Sequence, residues 1–159
     1  MSHRKDARAQ SCPGFRQLPV INPLRNSIDL YMDTQKLDEL SKVILDASIA
    51  VHREMGPGLL EAVYQYCLVR EFELRGIAVE TQVMVPLVYK GEKLSKEYVM
   101  DVLVEGEIIL ELKAVESLLP VHEAQLISYL KLANKKLGFL INFNVPLLKH
   151  GFRRFVNGF

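Results

Sequence analysis

Tryptophan is absent from this chain, and its two cysteines, Cys12 and Cys67, lie far apart with no CxxC or Cys/His spacing. A disulfide framework and a structural zinc site are therefore both unsupported. No apolar run approaches the length of a transmembrane helix, and no apolar signal-peptide core follows Met1. These absences give the expectation of a cytoplasmic protein with no membrane partner. GxGxxG and GxxxxGK[ST] are missing as well, which leaves dinucleotide and P-loop chemistry little support. Internal repeats and low-complexity tracts are also lacking.

What is present is ordinary in bulk. The 159 residues are 49% hydrophobic and 25% charged, enough for one domain with a substantial core. The net charge of +1 is unevenly spread: from Met32 to Leu130 nine Lys/Arg face seventeen Asp/Glu, a balance of −8. From Lys131 onward come six basic residues and no acid. Such a basic end could form a polyanion-binding edge, or it could simply decorate a helix end, where cations favour the dipole. The second explanation is the better one for Lys135 and Lys136; for Arg153 and Arg154 the two are balanced.

Residues 1–31 carry three of the seven prolines and no sustained periodicity, so they are expected to be a disordered extension to a domain over 32–159. Met32 opens the amphipathic segment and is a candidate start. Leu37, Leu40, Ile44, Ala47 and Val51 follow a helical period that ends at Gly56-Pro57-Gly58. A second helix is predicted from about Leu59 to Arg75, stopped by Gly76. Strands follow at Ala78–Tyr89, where Pro86 signals a bend or an edge, then up to Val104, then at Ile108–Lys113. A helix over about Val121–Ala133 and an apolar strand Leu137–Phe143 complete the pattern, and the tail after Pro146 has no clear assignment. The result is an α/β fold with an α-β-β-β-α-β core: a mixed central sheet flanked by helices, plus an extra N-terminal helix.

Two neighbouring strands carry the chemistry. Asp101 interrupts Tyr98–Val104, and Glu111 and Lys113 interrupt Ile108–Lys113, in what otherwise reads as buried sheet. Glu111 and Lys113, two apart, share a face. If Glu105–Glu107 form a three-residue loop, Val104 pairs with Ile108 and Asp101 lies opposite Glu111; a two-residue loop would move Asp101 to the other face. Two carboxylates facing each other in an apolar setting are costly unless a cation lies between them. Oxygen ligands suit Mg²⁺ or Mn²⁺ better than zinc. The alternative is a solvated hairpin face with an ordinary Glu-Lys pair. Glu61 opens the second helix, where the dipole alone would favour it, and Tyr64 lies one turn on. On the late helix Gln125 and Tyr129 are spaced i, i+4, with His122 before them.

Gly58-Leu59-Leu60-Glu61-Ala62-Val63-Tyr64 resembles the G-x-x-E-x-x-Y signature of the GxxExxY proteins, a family of the PD-(D/E)XK nuclease superfamily. The resemblance runs through Asp101, Glu111-Leu112-Lys113, His122–Leu126 with Tyr129, and Ile141–Pro146, covering roughly Leu37 to Val156. It implies metal ligation by Asp101 and Glu111 with Glu61 as auxiliary carboxylate, Lys113 as the catalytic lysine, and Gln125 in support. Met100 stands where the superfamily's name has proline, and Val99 where relatives often carry a basic residue. The implied function is Mg²⁺- or Mn²⁺-dependent hydrolysis of nucleic acid, DNA favoured. Tyr64, Tyr129, Arg153 and Arg154 are candidate nucleic-acid contacts, and a homodimer or recognition subunit is plausible. The alternative is a catalytically silent module on the same fold that binds nucleic acid or a protein partner.

Overall fold

The computed structural model describes residues 23–158, and the surroundings of side chains from residue 33 on. Residues 1–22, most of the expected extension, lie outside the described residues. Helix α1 spans Pro23–Met55, so helical backbone begins upstream of Met32, where the sequence pattern starts it. The chain continues through α2 (Glu61–Leu74), β1 (Val79–Tyr89), β2 (Glu92–Val104), β3 (Ile108–Lys113), α3 (Pro120–Leu132), β4 (Leu137–Asn142), a 3₁₀ turn (Leu148–His150) and β5 (Phe152–Val156). The five strands lie in the order β1-β2-β3-β4-β5. The β1–β2, β2–β3 and β4–β5 pairs are antiparallel, and β3–β4 is parallel because α3 makes the crossover between them. The expected α-β-β-β-α-β core with a mixed sheet and a leading helix is the one found.

Helices cover both faces of the sheet. Leu40, Ile44, Ala47 and Val51 of α1 and Tyr64, Leu68 and Phe72 of α2 pack against Val102, Val104, Ile108, Leu110, Leu112, Phe139 and Ile141. On the other face Leu126, Tyr129 and Leu130 of α3 meet Val85, Met100, Leu103, Ile109 and Leu140. Strands β3 and β4 are therefore buried on both sides, which explains their nearly unbroken apolar sequences. Each interior side chain removed from water contributes about 1.5–3 kcal/mol, and these two central strands hold most of that contribution from the sheet.

The register is the one a three-residue loop requires: Val104 pairs with Ile108, Leu103 with Ile109 and Val102 with Leu110. Pro86 lies both on an edge strand and beside a register shift, between Pro86 and Val88, so both of its expected roles apply. The tail that resisted assignment adds β5 to the open edge of β4. At its start Gly151 donates to Leu148 O, and its own carbonyl accepts from Asn142 N–H. A Cβ at Gly151 would sit 2.1 Å from Asn142 O, so no larger residue fits this crossing without backbone movement.

Candidate active site

The β2–β3 ladder stops after Val102 and Leu110, one pair short of Asp101 and Glu111. There the Asp101 side chain takes over from strand backbone: its Oδ2 accepts from Leu112 N–H at 3.0 Å. That bond ties Asp101 to β3 and holds its charge beside Glu111, where it helps to raise the Glu111 pKa. Beyond this point β3 still pairs with β4, Glu111 opposite Leu140 and Lys113 opposite Asn142. At the end of β3 the sheet thus parts on the β2 side while staying paired on the β4 side.

Glu111 is only 1% exposed. Its Oε1 accepts from Lys113 Nζ at 2.7 Å, whereas Oε2 is buried with no hydrogen-bond partner among the described residues. Burial first, and then the Asp101 charge, push its pKa up to about 7, even with Lys113 opposing both. Lys113 Nζ also donates to Leu112 O at 2.9 Å and lies 3.9 Å from Glu61 Oε1. Burial on its own would lower the lysine pKa, but the hydrogen bond and charge of Glu111, with Glu61 and Asp101 behind them, raise it. It is an ammonium ion at neutral pH.

Glu61, the first residue of α2, approaches Lys113 from the α1/α2 side of the sheet. Burial raises its pKa, with Asp101 adding to the rise, against lowering by Lys113, the Ala114 N–H and His122. Tyr64 explains how Glu61 is placed. It is fully buried and stacked on Phe143 at 4.6 Å, and its hydroxyl donates to Gly56 O (2.6 Å) and accepts from Leu59 N–H (3.1 Å). Tyr64 therefore fastens the Gly56–Leu59 loop that leads into α2. As a nucleic-acid contact it is a correction, because it offers no exposed surface.

On α3, Gln125 Nε2 donates to Tyr129 Oη at 2.9 Å. Burial raises the Tyr129 pKa, the Gln125 hydrogen bond lowers it, and the charges of Glu111 and Asp101 raise it further. His122, one turn earlier, accepts from Leu119 N–H through Nδ1 and so caps α3. The structure thus brings Glu61, Glu111 and Lys113 together at the end of β3, with Asp101 tied to the same strand through Leu112 N–H and the Gln125–Tyr129 pair within range of their charges. It does not bring Arg153 and Arg154 together: Arg153 pairs with Glu123 on the α3 side, Arg154 with Asp38 on the α1 side at 3.4 Å.

Asn142 had no role assigned from sequence. It is buried, its Oδ1 accepts from Val115 N–H and Asn144 N–H, and its Nδ2 donates to Val115 O. The chain leaving Lys113 is thereby held to the end of β4. A lone amide closing an apolar strand was the available signal.

A family model of the PD-(D/E)XK nuclease superfamily matches residues 38–155. The chain belongs to that superfamily. Neither a curated protein nor a solved structure matches it. A PD-(D/E)XK nuclease typically uses a divalent metal such as Mg²⁺ or Mn²⁺. Two observations bear on whether this PD-(D/E)XK site could hold one. The unpartnered Glu111 Oε2 fits a hard cation, which an oxygen of that kind would ligate. Against a ready-made cage, no group of three His, Cys, Asp or Glu among the described residues is arranged to hold a metal. The Lys113 ammonium group lies 2.7 Å from Glu111 Oε1 and 3.9 Å from Glu61 Oε1. No helix among the described residues is long and apolar enough to cross a membrane.

Proposed function

We propose that this PD-(D/E)XK protein is a GxxExxY-type phosphodiesterase that hydrolyses nucleic acid, DNA favoured, with Mg²⁺ or Mn²⁺ as cofactor. The observation that carries this is the buried, unpartnered Glu111 Oε2 beside Asp101 and Lys113. A purely structural carboxylate would be expected to satisfy both oxygens or to remain in water.

Asp101 and Glu111 would hold the cation, with Glu61 as auxiliary ligand. Bound there, it supplies a Lewis acid that offsets charge building on the phosphate and makes a nearby water more acidic. The chain's own groups do the rest. Lys113, protonated and held by Glu111 Oε1 and Leu112 O, is built to orient the attacking water and to neutralise charge in the transition state. Its raised pKa disfavours the role of general base. Gln125 fixes Tyr129 along the α3 wall. Asn142 and Tyr64 are positioning residues, acting through Val115 and the Gly56–Leu59 loop.

Cleavage of single- and double-stranded DNA and RNA, each with Mg²⁺, with Mn²⁺ and with EDTA, tests the proposal. Metal-dependent products that vanish in Lys113→Ala and Glu111→Ala support it. Activity persisting in either variant overturns it.

The silent-module alternative has an observation of its own in the closed Glu111–Lys113–Glu61 ion-pair chain. Calorimetry with Mg²⁺ separates the two: nucleic-acid binding indifferent to metal supports the module. A homodimer or a recognition subunit remains compatible with either, and sedimentation of the purified chain tests the first.

A further inference from the structure

We propose that Tyr98 and Tyr129 line a subsite for an unpaired nucleobase of single-stranded DNA, near the Glu111–Lys113 pair. Tyr98, Val121, Ala124, Gln125, Ser128 and Tyr129 bound an open recess of about 290 Å³. The two rings have different standing. Tyr129 is 5% exposed and fastened by Gln125, whereas Tyr98 is 42% exposed and packs edge-on against it, with centroids 5.8 Å apart and planes at 64°. A fixed ring thus backs a half-open one. That arrangement can take up a flat aromatic partner with little loss of side-chain entropy.

Tyr129 belongs to both places. Its ring walls the recess, and it packs on the same α3 face of the sheet as Ile109, the face to which Glu111 and Lys113 alternate along β3, within range of their charges. The chemistry of the lining selects the ligand. It holds no lysine or arginine, and the chain from Met32 to Leu130 has a balance of −8, so phosphate neutralisation is a weak source of affinity here. Stacking needs no positive charge and tolerates any base. In a duplex the base faces are already occupied by neighbouring bases, so the recess favours an unpaired strand. The amide of Gln125 and the hydroxyl of Ser128 place polar atoms at the lining, where the edge of a base carries its own donors and acceptors.

The inference rests on the nuclease proposal for the meaning of the nearby Glu111–Lys113 pair, so its test reads binding alone. Fluorescence anisotropy would follow a short labelled oligothymidylate, its duplex with oligoadenylate, and an abasic strand of equal length. Ca²⁺ replaces Mg²⁺ throughout. Tyr98→Leu, which keeps an apolar side chain but loses the aromatic face, is expected to weaken oligothymidylate binding about tenfold. Tyr98→Trp is expected to keep or improve it, and the abasic strand to bind poorly to every form. The subsite is overturned if a Tyr98→Leu protein with unchanged melting binds as wild type does. It is equally overturned if the abasic strand or the duplex binds as well as oligothymidylate, or if oligothymidylate does not bind. Should Tyr98→Leu fail to fold, the Tyr98→Trp and abasic-strand comparisons decide. Cleavage with Mg²⁺ is scored separately, so a silent but Tyr98-dependent binder would sink the nuclease proposal and leave this one standing.

Discussion

Strands β3 and β5 both present charged side chains from a sheet, and they treat them in opposite ways. Arg153 and Arg154 project to opposite faces of β5, each about half exposed, and each meets one carboxylate from a covering helix. On β3, Glu111 and Lys113 share one face, with 1% and 13% of their side chains exposed, and the carboxylates around Lys113 repel one another. The β5 pairs are solvated and close to neutral in energy. The β3 group is a standing cost that packing alone does not require, because apolar residues of similar size would serve the core at least as well. A fold that tolerates such a cluster at the end of its central strand retains it for something other than stability.

The largest effect expected from breaking that contrast is on activity. Lys113→Ala should lower the rate of nucleic-acid cleavage by roughly a hundred- to a thousandfold, the usual loss of a donor aimed at developing charge. Lys113→Arg keeps the charge but changes its shape and reach, so it should recover little. Steady-state rates on one substrate at fixed Mg²⁺ check both. Near-wild-type turnover by Lys113→Ala would reduce the β3 cluster to an ordinary ion pair.

Next in size is the pH dependence of folding without metal. Glu111 titrates near 7 when folded, against 4.5 as its ordinary value. Between those values the folded chain binds more protons than the unfolded one, so stability should fall as pH rises through that window and level off above it. The shift corresponds to about 3 kcal/mol. Glu61, also raised, bends the curve the same way. Lys113, whose pKa is raised, contributes stability that is lost only at strongly alkaline pH. Denaturant melts across the window should show the fall, and Glu111→Gln should flatten most of it. Mg²⁺ should then favour the ionised acids and offset the loss: at about a hundred times its Kd it adds roughly 2.7 kcal/mol. That gain should be larger above the Glu111 titration than below it. An equal gain at both ends would place the ion elsewhere.

The same contrast explains what the sequence could disclose. Apolar β3 and β4 stood out because they are buried on both faces, and of the two loop lengths the sequence left open at Glu105–Glu107 the three-residue one is found. The sequence did not show that Asp101 would bond Leu112 N–H where the ladder ends, since that depends on β2 leaving β3. Strand β5 was hidden by its own symmetry. Phe152 and Arg154 face α1 while Arg153 and Phe155 face α3, so each face receives one aromatic and one arginine and the usual alternation disappears. Tyr64 was misjudged for a related reason: a tyrosine one turn after an acid reads equally well as a substrate contact or as core packing with a hydrogen-bonded hydroxyl, and the stack on Phe143, distant in sequence, and the bond to Gly56 decide between them.

The smallest expected effects lie on β5, and they sharpen the comparison from its other side. Arg153→Ala and Arg154→Ala should each change stability by less than about 1 kcal/mol, because both pairs are exposed and screened by salt. If either arginine instead follows a phosphate backbone, its removal should weaken nucleic-acid binding across all sequences. It should also reduce the slope of log affinity against log salt by about one. The two arginines face opposite layers, so a bound strand that keeps to one face of the sheet engages at most one of them. Titrations at several salt concentrations should therefore find one variant altered or neither. A drop in slope for both would require the polyanion to wrap the sheet edge, and β5 would then join the β3 cluster as part of the binding surface.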